Sequence, residues 1–247
     1  MSKSRRAALI TGSNKNIGRA CALALARDGC NVVVNGSKDR VAAESVAKEV
    51  RALGVEAIVA MGDVGKREDC QRIAKEGIDA FGTIDILINN AAIREDGGFL
   101  ELSEDAWRRV MAINFDASYW LSRACLPGMV GKGWGRIINF AGMNAIHGYN
   151  GRAHVSASKH AAWGLTKALA KEFGPKGITT NIVSPGPIMG EAQDVMQAAH
   201  IKPMQARVPL GRLGTPEEVA AAVALLASDA GGFINGQMIQ VNGGAET

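Results

Sequence analysis

The feature that most constrains this chain is a regular alternation of two kinds of segment. Ala7–Thr11, Asn31–Asn35, Val55–Ala60, Ile84–Asn89, Arg136–Phe140, Ile178–Val183 and a last run near Met238–Val241 are short, apolar and rich in β-branched residues. Between them, Ile17–Arg27, Arg40–Leu53, Arg67–Ala80, Glu104 to about Val130 and Ser156–Phe173 carry apolar residues at helical spacing. Strands without a polar face are buried on both sides, and a helix between two of them returns the chain to begin the next strand in parallel. The pattern predicts an α/β fold: one doubly wound parallel sheet of about seven strands with helices on both faces, forming a single domain over residues 1–247.

Local signals punctuate that frame. Ser103 is placed to cap the long helix starting at Glu104, and Thr215-Pro216-Glu217-Glu218 opens another helix with a cap, a first-position proline and two acids. Pro185, Gly186 and Pro187 break the chain after the sixth run. Met189–Val208 reads as a semi-helical lid.

Composition removes several function classes. The net charge of +4 is small for 247 residues and is spread along the chain, without the basic stripe that nucleic acid or a membrane surface would require. No apolar run is long enough to span a membrane, and the start is too short for a secretory signal, so a cytoplasmic protein is expected. Cys21, Cys30, Cys70 and Cys125 lack any metal-ligand spacing and read as reduced core residues, with no metal site.

The chemistry begins at the first strand–helix junction, Thr11-Gly12-Ser13-Asn14-Lys15-Asn16-Ile17-Gly18. Glycines there let the backbone approach a pyrophosphate, and the helix start offers unpaired N–H groups, so the segment predicts a Rossmann-type dinucleotide site. Asn16 stands where a middle glycine is usual, and Asn tolerates positive φ better than most residues. The second strand ends Asn35-Gly36-Ser37-Lys38 with no acid before Asp39. An acid would bind a ribose 2′-hydroxyl. Its absence, with Lys15, Lys38 and Arg40 nearby, favours NADP(H) over NAD(H).

Further segments, in order, carry a resemblance over nearly the whole chain: Gly62-Asp63-Val64, Asn89-Asn90-Ala91-Ala92, Asn114, Pro185-Gly186-Pro187-Ile188, Leu210–Val219 and Val241-Asn242-Gly243-Gly244. Together with the glycine loop they resemble the short-chain dehydrogenase/reductase family, of the kind found in 3-oxoacyl-acyl-carrier-protein reductases. The resemblance implies a nicotinamide cofactor held by Gly12, Ser13, Asn14, Lys15, Ile17, Gly18, Asn35, Ser37, Asp63, Val64, Asn90, Ala91, Lys159, Pro185, Gly186 and Ile188. It also implies a homo-tetramer or dimer formed through the two long helices Glu104–Val130 and Ser156–Phe173.

The same resemblance exposes two departures. Lys159 fits the family's YxxxK motif, but Val155 stands where the Tyr belongs, and Gly142 stands thirteen residues earlier, where the Ser belongs. Gly148 and Gly151 support that register. Hydride transfer to a carbonyl creates an alkoxide that needs a proton, and neither Val nor Gly has one to give. Losing a positioned acid–base costs roughly 10²–10⁴-fold in rate. Asn114 and Lys159 remain, and Tyr149, His147 or His154 is a substitute acid–base, with Tyr149 preferred; Asn144 is a further polar candidate. Met143, Met189, Met196 and Met204 flank the cleft and lid as apolar filler or a flexible pocket.

Three functions stay open at this level. The first is an NADP(H)-dependent oxidoreductase acting on a small carbonyl or alcohol through a substituted proton relay. The second is a lyase, hydratase or hydrolase built in the same cleft, and the third is a catalytically silent cofactor-binding subunit.

Overall fold

The computed structural model describes residues 5–143, 147–190 and 198–246. Seven strands form one sheet: β1 (Ala7–Ile10), β2 (Asn31–Val34), β3 (Ala57–Val59), β4 (Ile86–Asn89), β5 (Gly135–Phe140), β6 (Ile178–Pro185) and β7 (Met238–Val241). They lie in the order β3-β2-β1-β4-β5-β6-β7, and every neighbouring pair is parallel. This is the α/β architecture that the alternating pattern predicts.

The helices divide between the two faces as their apolar stripes require. On one face α1 (Asn16–Arg27), α2 (Arg40–Ala52) and α8 (Pro216–Ala227) pack Leu25, Val46, Val50, Val223 and Leu226 against Ile10, Val32, Val34 and Ile88. On the other, α3 (Arg67–Phe81), α5 (Ala117–Lys132) and α6 (Ala153–Phe173) meet Leu9, Val33, Leu87 and Ile137. The four cysteines are free and buried. Burial pushes the thiols of Cys21, Cys70 and Cys125 up to about 12, so they behave as small apolar groups. No helix among the described residues is long and apolar enough to cross a membrane.

Apart from end shifts of up to three residues, two elements differ from the sequence expectation. The helix expected without interruption from Glu104 to about Val130 is α4 (Glu104–Met111), a π-helical turn over Ala112–Asp116, and then α5. The extra residue in the turn re-aims Asn114 inward, where both ends of its amide bond the backbone of Ile93. The sixth strand also runs two residues past Val183. Pro185 can end it because a proline at the last pairing position forfeits no interior ladder bond, and it stands opposite Val241. The expected caps are present: Ser103 accepts from Ala106 N–H, and Thr215 forms a reciprocal capping box with Glu218. Of the segment read as a lid, Ala198–Gln205 is a helix, α7, and residues 191–197 lie outside the described residues, Met196 among them.

The sheet order reverses between β1 and β4, so their connections leave in opposite directions and a crevice opens at the strands' C-terminal ends. The opposite ends are tied by Asp85, whose buried carboxylate accepts from Ala7 N–H at 2.9 Å and from Lys132 Nζ at 2.7 Å. Asp85→Ala is expected to lower stability by about 2–4 kcal/mol, because a buried N–H loses its acceptor and Lys132 its counter-charge. Asp85→Asn, which keeps an acceptor for Ala7, should lose less, and urea unfolding of the two variants checks the order.

Candidate active site

Three strand ends converge on the glycine loop at that crevice. Gly12 has φ +60 and presents its N–H to Asn35 Oδ1 at 3.1 Å. Ser13 donates its N–H to the Asn35 carbonyl and its hydroxyl to the Ile10 carbonyl, both at 2.8 Å. Asn35 also donates through Nδ2 to the carbonyls of Ala60 and Gly62. From the other side Asn90 Nδ2 reaches the carbonyls of Thr11 at 2.9 Å and Gly12 at 3.1 Å, while Thr11 Oγ1 accepts from the N–H groups of Asn90 and Ala91. A Cβ on Gly18 would lie 2.3 Å from the Gly12 carbonyl oxygen and 2.7 Å from Asn90 Nδ2. Only glycine fits there, and the loop is held open at the start of α1 with its backbone facing the crevice.

Asn16 has φ 49 and is the only non-glycine residue with positive φ among the described residues, as its place in the glycine pattern predicts. Its side chain lies beside Gly190, at the base of the expected lid. The side-chain amides of Asn35 and Asn90 are turned into the fold and shape the loop. Ile17 is half-buried and Lys15 exposed. Beyond β2, Ser37 and Lys38 are exposed, and the side chain of Asn14 lies against Gly36. Asp39 caps α2 by accepting from Ala42 N–H, while Arg40 lies 3.6 Å from Glu44.

Asp63 accepts from Gly65 N–H and pairs with Arg109 at 2.8 Å, a partnership the sequence pattern did not reveal. Val64 beside it is buried, and its carbonyl accepts from the Cys70 thiol. At the far wall Pro185 ends β6, Gly186 N–H bonds the Val241 carbonyl, and Ile188 bridges to Gly214. A Cβ on Gly186 would sit 2.6 Å from Asn242 Cα, which explains the glycine between two prolines.

The crevice floor holds the remaining polar groups. Lys159, on the inner face of α6, is 3% exposed, and its Nζ donates to the Phe140 carbonyl at 2.8 Å. Burial, with Arg94 nearby, brings its pKa down to about 7. Asn114 Nδ2 bonds Ser158 Oγ at 3.3 Å as well as Ile93, and the Ser158 hydroxyl in turn donates to the Val155 carbonyl. Val155 is buried. Gly142 has φ +142, a conformation L side chains rarely adopt, although the space around it is open.

The three acid–base candidates fall in different environments. Tyr149 is half-exposed with the Arg152 guanidinium 4.8 Å from its ring centre, and no bond joins it to Lys159 among the described residues. His147 pairs with Glu246 at 2.8 Å. His154 is fully buried, and neither ring nitrogen has a partner among the described residues, a costly state for an imidazole. Asn144 lies outside the described residues. Met143 and Met204 are half-buried and Met189 is exposed.

Arg94, in the loop after β4, was not anticipated; it is exposed, and its charge weighs against that of Lys159. Its only sequence signal is position, as the first cation after Asn89-Asn90-Ala91-Ala92. A cavity of about 290 Å³ lies beside the turn after β6, lined by Ile188, Val208, Leu210, Arg212, Val241 and neighbouring residues. Asn114, Val155 and Lys159 do not line it, so it adjoins the reacting space without being it. No group of His, Cys and acidic residues fit for a metal occurs among the described residues.

This geometry matches what the chain resembles. The family model described as Enoyl-(Acyl carrier protein) reductase matches residues 12–246. The chain is 36% identical to the 3-oxoacyl-(acyl-carrier-protein) reductase FabG of Staphylococcus aureus (strain Mu50 / ATCC 700699), over 98% of each chain. It is 37% identical to Nodulation protein G of Azospirillum brasilense over 98% of each, and 38% identical to a 3-oxoacyl-(acyl-carrier-protein) reductase of Synechocystis sp. over 96% of this chain and 95% of that one. A parallel seven-stranded sheet, a glycine cradle at its switch point and full-length likeness to named reductases lead to one conclusion: the chain belongs to the short-chain dehydrogenase/reductase family of oxidoreductases.

Proposed function

We propose that this protein is an NADP(H)-dependent oxidoreductase that moves a hydride to or from a small carbonyl or alcohol, with a proton relay that replaces the family's Ser and Tyr. The observation that carries the reading is the Gly12–Gly18 cradle, where a Cβ on Gly18 would collide with the Gly12 backbone, together with the buried Lys159. The nicotinamide group, when bound, supplies or accepts the hydride. The backbone of Gly12–Gly18 and the start of α1 would hold its pyrophosphate, Asp63 and Val64 the adenine side, Ala91, Gly186 and Ile188 the floor, and Lys159 the nicotinamide ribose. The named reductase relatives support this direction of chemistry. Residues 189–208 act as the lid, and α5 and α6 as the surfaces of a homo-oligomer.

The preference for NADP(H) rests on the end of β2. Asn35 is buried and carries no charge, Asp39 faces its own helix, and Ser37 and Lys38 are exposed beside the loop. Lys38→Ala is expected to weaken NADPH binding about 5- to 30-fold, the loss of one charge-assisted contact, and to leave NADH unchanged. Fluorescence titration with both dinucleotides measures the difference, and equal effects on the two would remove the 2′-phosphate contact from the reading.

The proton that the substrate alkoxide needs is given up by His154 or Tyr149, and that group is reprotonated from solvent. His154 has the burial and two partnerless nitrogens; Tyr149 has the phenol. In an NADPH-oxidation assay with a panel of small ketones and aldehydes, Tyr149→Phe or His154→Asn should lower kcat roughly 10²–10⁴-fold with NADPH affinity retained. Full turnover in both variants would sink the relay. Turnover of a substrate with no change in nicotinamide absorbance would instead support the lyase or hydratase use of the cleft.

Lys159 gives a pH signature independent of turnover. Its folded pKa of about 7 lies below the ordinary lysine value of 10.5, so between those limits the unfolded chain binds more protons. Its unfavourable contribution to stability is complete below pH 7 and fades as pH rises toward 10.5. Measured by urea unfolding, the wild type should therefore gain about 2 kcal/mol relative to Lys159→Met between pH 7 and 8.5. Parallel curves for the two proteins would show that Lys159 is not held neutral.

A further inference from the structure

The glycine loop carries two side-chain amides that lean in opposite directions. Asn14 lies against Gly36, beyond β2, with its Cγ 3.4 Å from the place a Cβ would take there. Asn16 leans the other way, toward the chain beyond β6. Its Oδ1 lies 3.2 Å, and its Cγ 3.8 Å, from the place of a Cβ on Gly190. β1 and β6 are not neighbours: β4 and β5 stand between them in the sheet. At about 4.8 Å per strand, the ends of β1 and β6 are roughly 14 Å apart. A contact between the β1 loop and the chain beyond β6 therefore spans the ends of β4 and β5, where the crevice opens.

Each end of this contact is fixed by its own wall. Asn35 Oδ1 accepts from Gly12 N–H, and Asn90 Nδ2 donates to the Gly12 carbonyl, both at 3.1 Å, so the loop is held from two sides. Beyond β6, Gly186 N–H bonds the Val241 carbonyl at 2.9 Å and Met189 N–H bonds the Gly214 carbonyl at 2.8 Å. The residue types also suit the contact from both ends. Asn16 holds φ 49 at a place where glycine would carry no strain, and a side chain kept in the left-handed region points to a role for it. Gly190 has no positive φ, so no left-handed turn calls for glycine there, whereas a Cβ would press on Asn16 Oδ1. A side chain stands where the loop could do without one, and none stands where the facing wall could have carried one.

We propose that Asn16 is a positioning residue for the dinucleotide: its amide clasps the glycine loop to the backbone at Gly190 across the crevice, so that the dinucleotide enters and leaves only when this contact opens. The proposal rests on the oxidoreductase reading for the identity of the ligand. Asn16 passes no proton and no hydride; it sets the rate at which the bound dinucleotide exchanges.

The test measures NADPH and NADH association and displacement by stopped-flow fluorescence in the wild type, Asn16→Gly, Gly190→Ala and the double variant. Glycine accepts the φ of position 16, so the Tm of Asn16→Gly is expected to hold. Its association and release rates should both rise roughly 3- to 10-fold, the size of one neutral polar contact, while Kd moves by less than about twofold. Gly190→Ala should alter the rates when Asn16 is present and leave them unchanged in the Asn16→Gly background. Without any dinucleotide, amide hydrogen exchange at Met189 and Gly190 should quicken in Asn16→Gly. Wild-type rates in Asn16→Gly, or effects of the two substitutions that simply add, overturn the proposal. Faster release with unaltered association does so too, since Asn16 would then be a direct contact to the dinucleotide and not a clasp. Failure of both dinucleotides to bind would refute the oxidoreductase reading and the clasp with it, whereas binding with wild-type kinetics refutes the clasp alone.

Discussion

The structure depends on how closely three backbone segments can be brought together at the top of β1. A methyl group on Gly18 would lie 2.3 Å from the Gly12 carbonyl oxygen, one on Gly12 would press on Ala91 at 3.2 Å, and the polar groups so crowded must be bonded. Asn35 and Asn90 meet that demand from opposite sides, one linking the loop to β2 and β3 and the other linking it to β4. The crevice is thus a by-product of two side-chain amides that satisfy the strand ends. The start of α1 lies directly beyond this crowded loop.

The fold was legible because period carries it. β-Branched runs without a polar face can only be interior parallel strands, and stretches with one apolar face can only be surface helices, so the sheet and its flanks follow from spacing alone. Spacing does not register a local change of helix pitch. The π turn at Ala112–Asp116 preserves the apolar stripe on both sides, and only the inward contact of Asn114 with Ile93 reveals it. The strand end at Pro185 was hidden for a related reason: proline reads as a breaker in sequence, but at the last pairing position it breaks nothing.

The candidate site was legible in part, and the division has a physical cause. Glycine positions declare themselves through steric need, so Gly12, Gly18 and the tolerance of Asn16 for positive φ could be read directly. Polar side chains do not declare which way they face. The amides of Asn35 and Asn90 turn into the fold, and Asp63 has Arg109 as a partner from a distant helix.

The backbone at Gly142 has a consequence for how this site can change. A glycine that replaced a serine while keeping the serine's conformation would leave a door that one substitution could reopen. With φ at +142 the loop lies in a region that is nearly closed to residues with a Cβ, so placing a hydroxyl there requires the main chain to turn first. Single changes at this position therefore meet strain before they meet chemistry, and new function in the cleft is more accessible from the side chains around it.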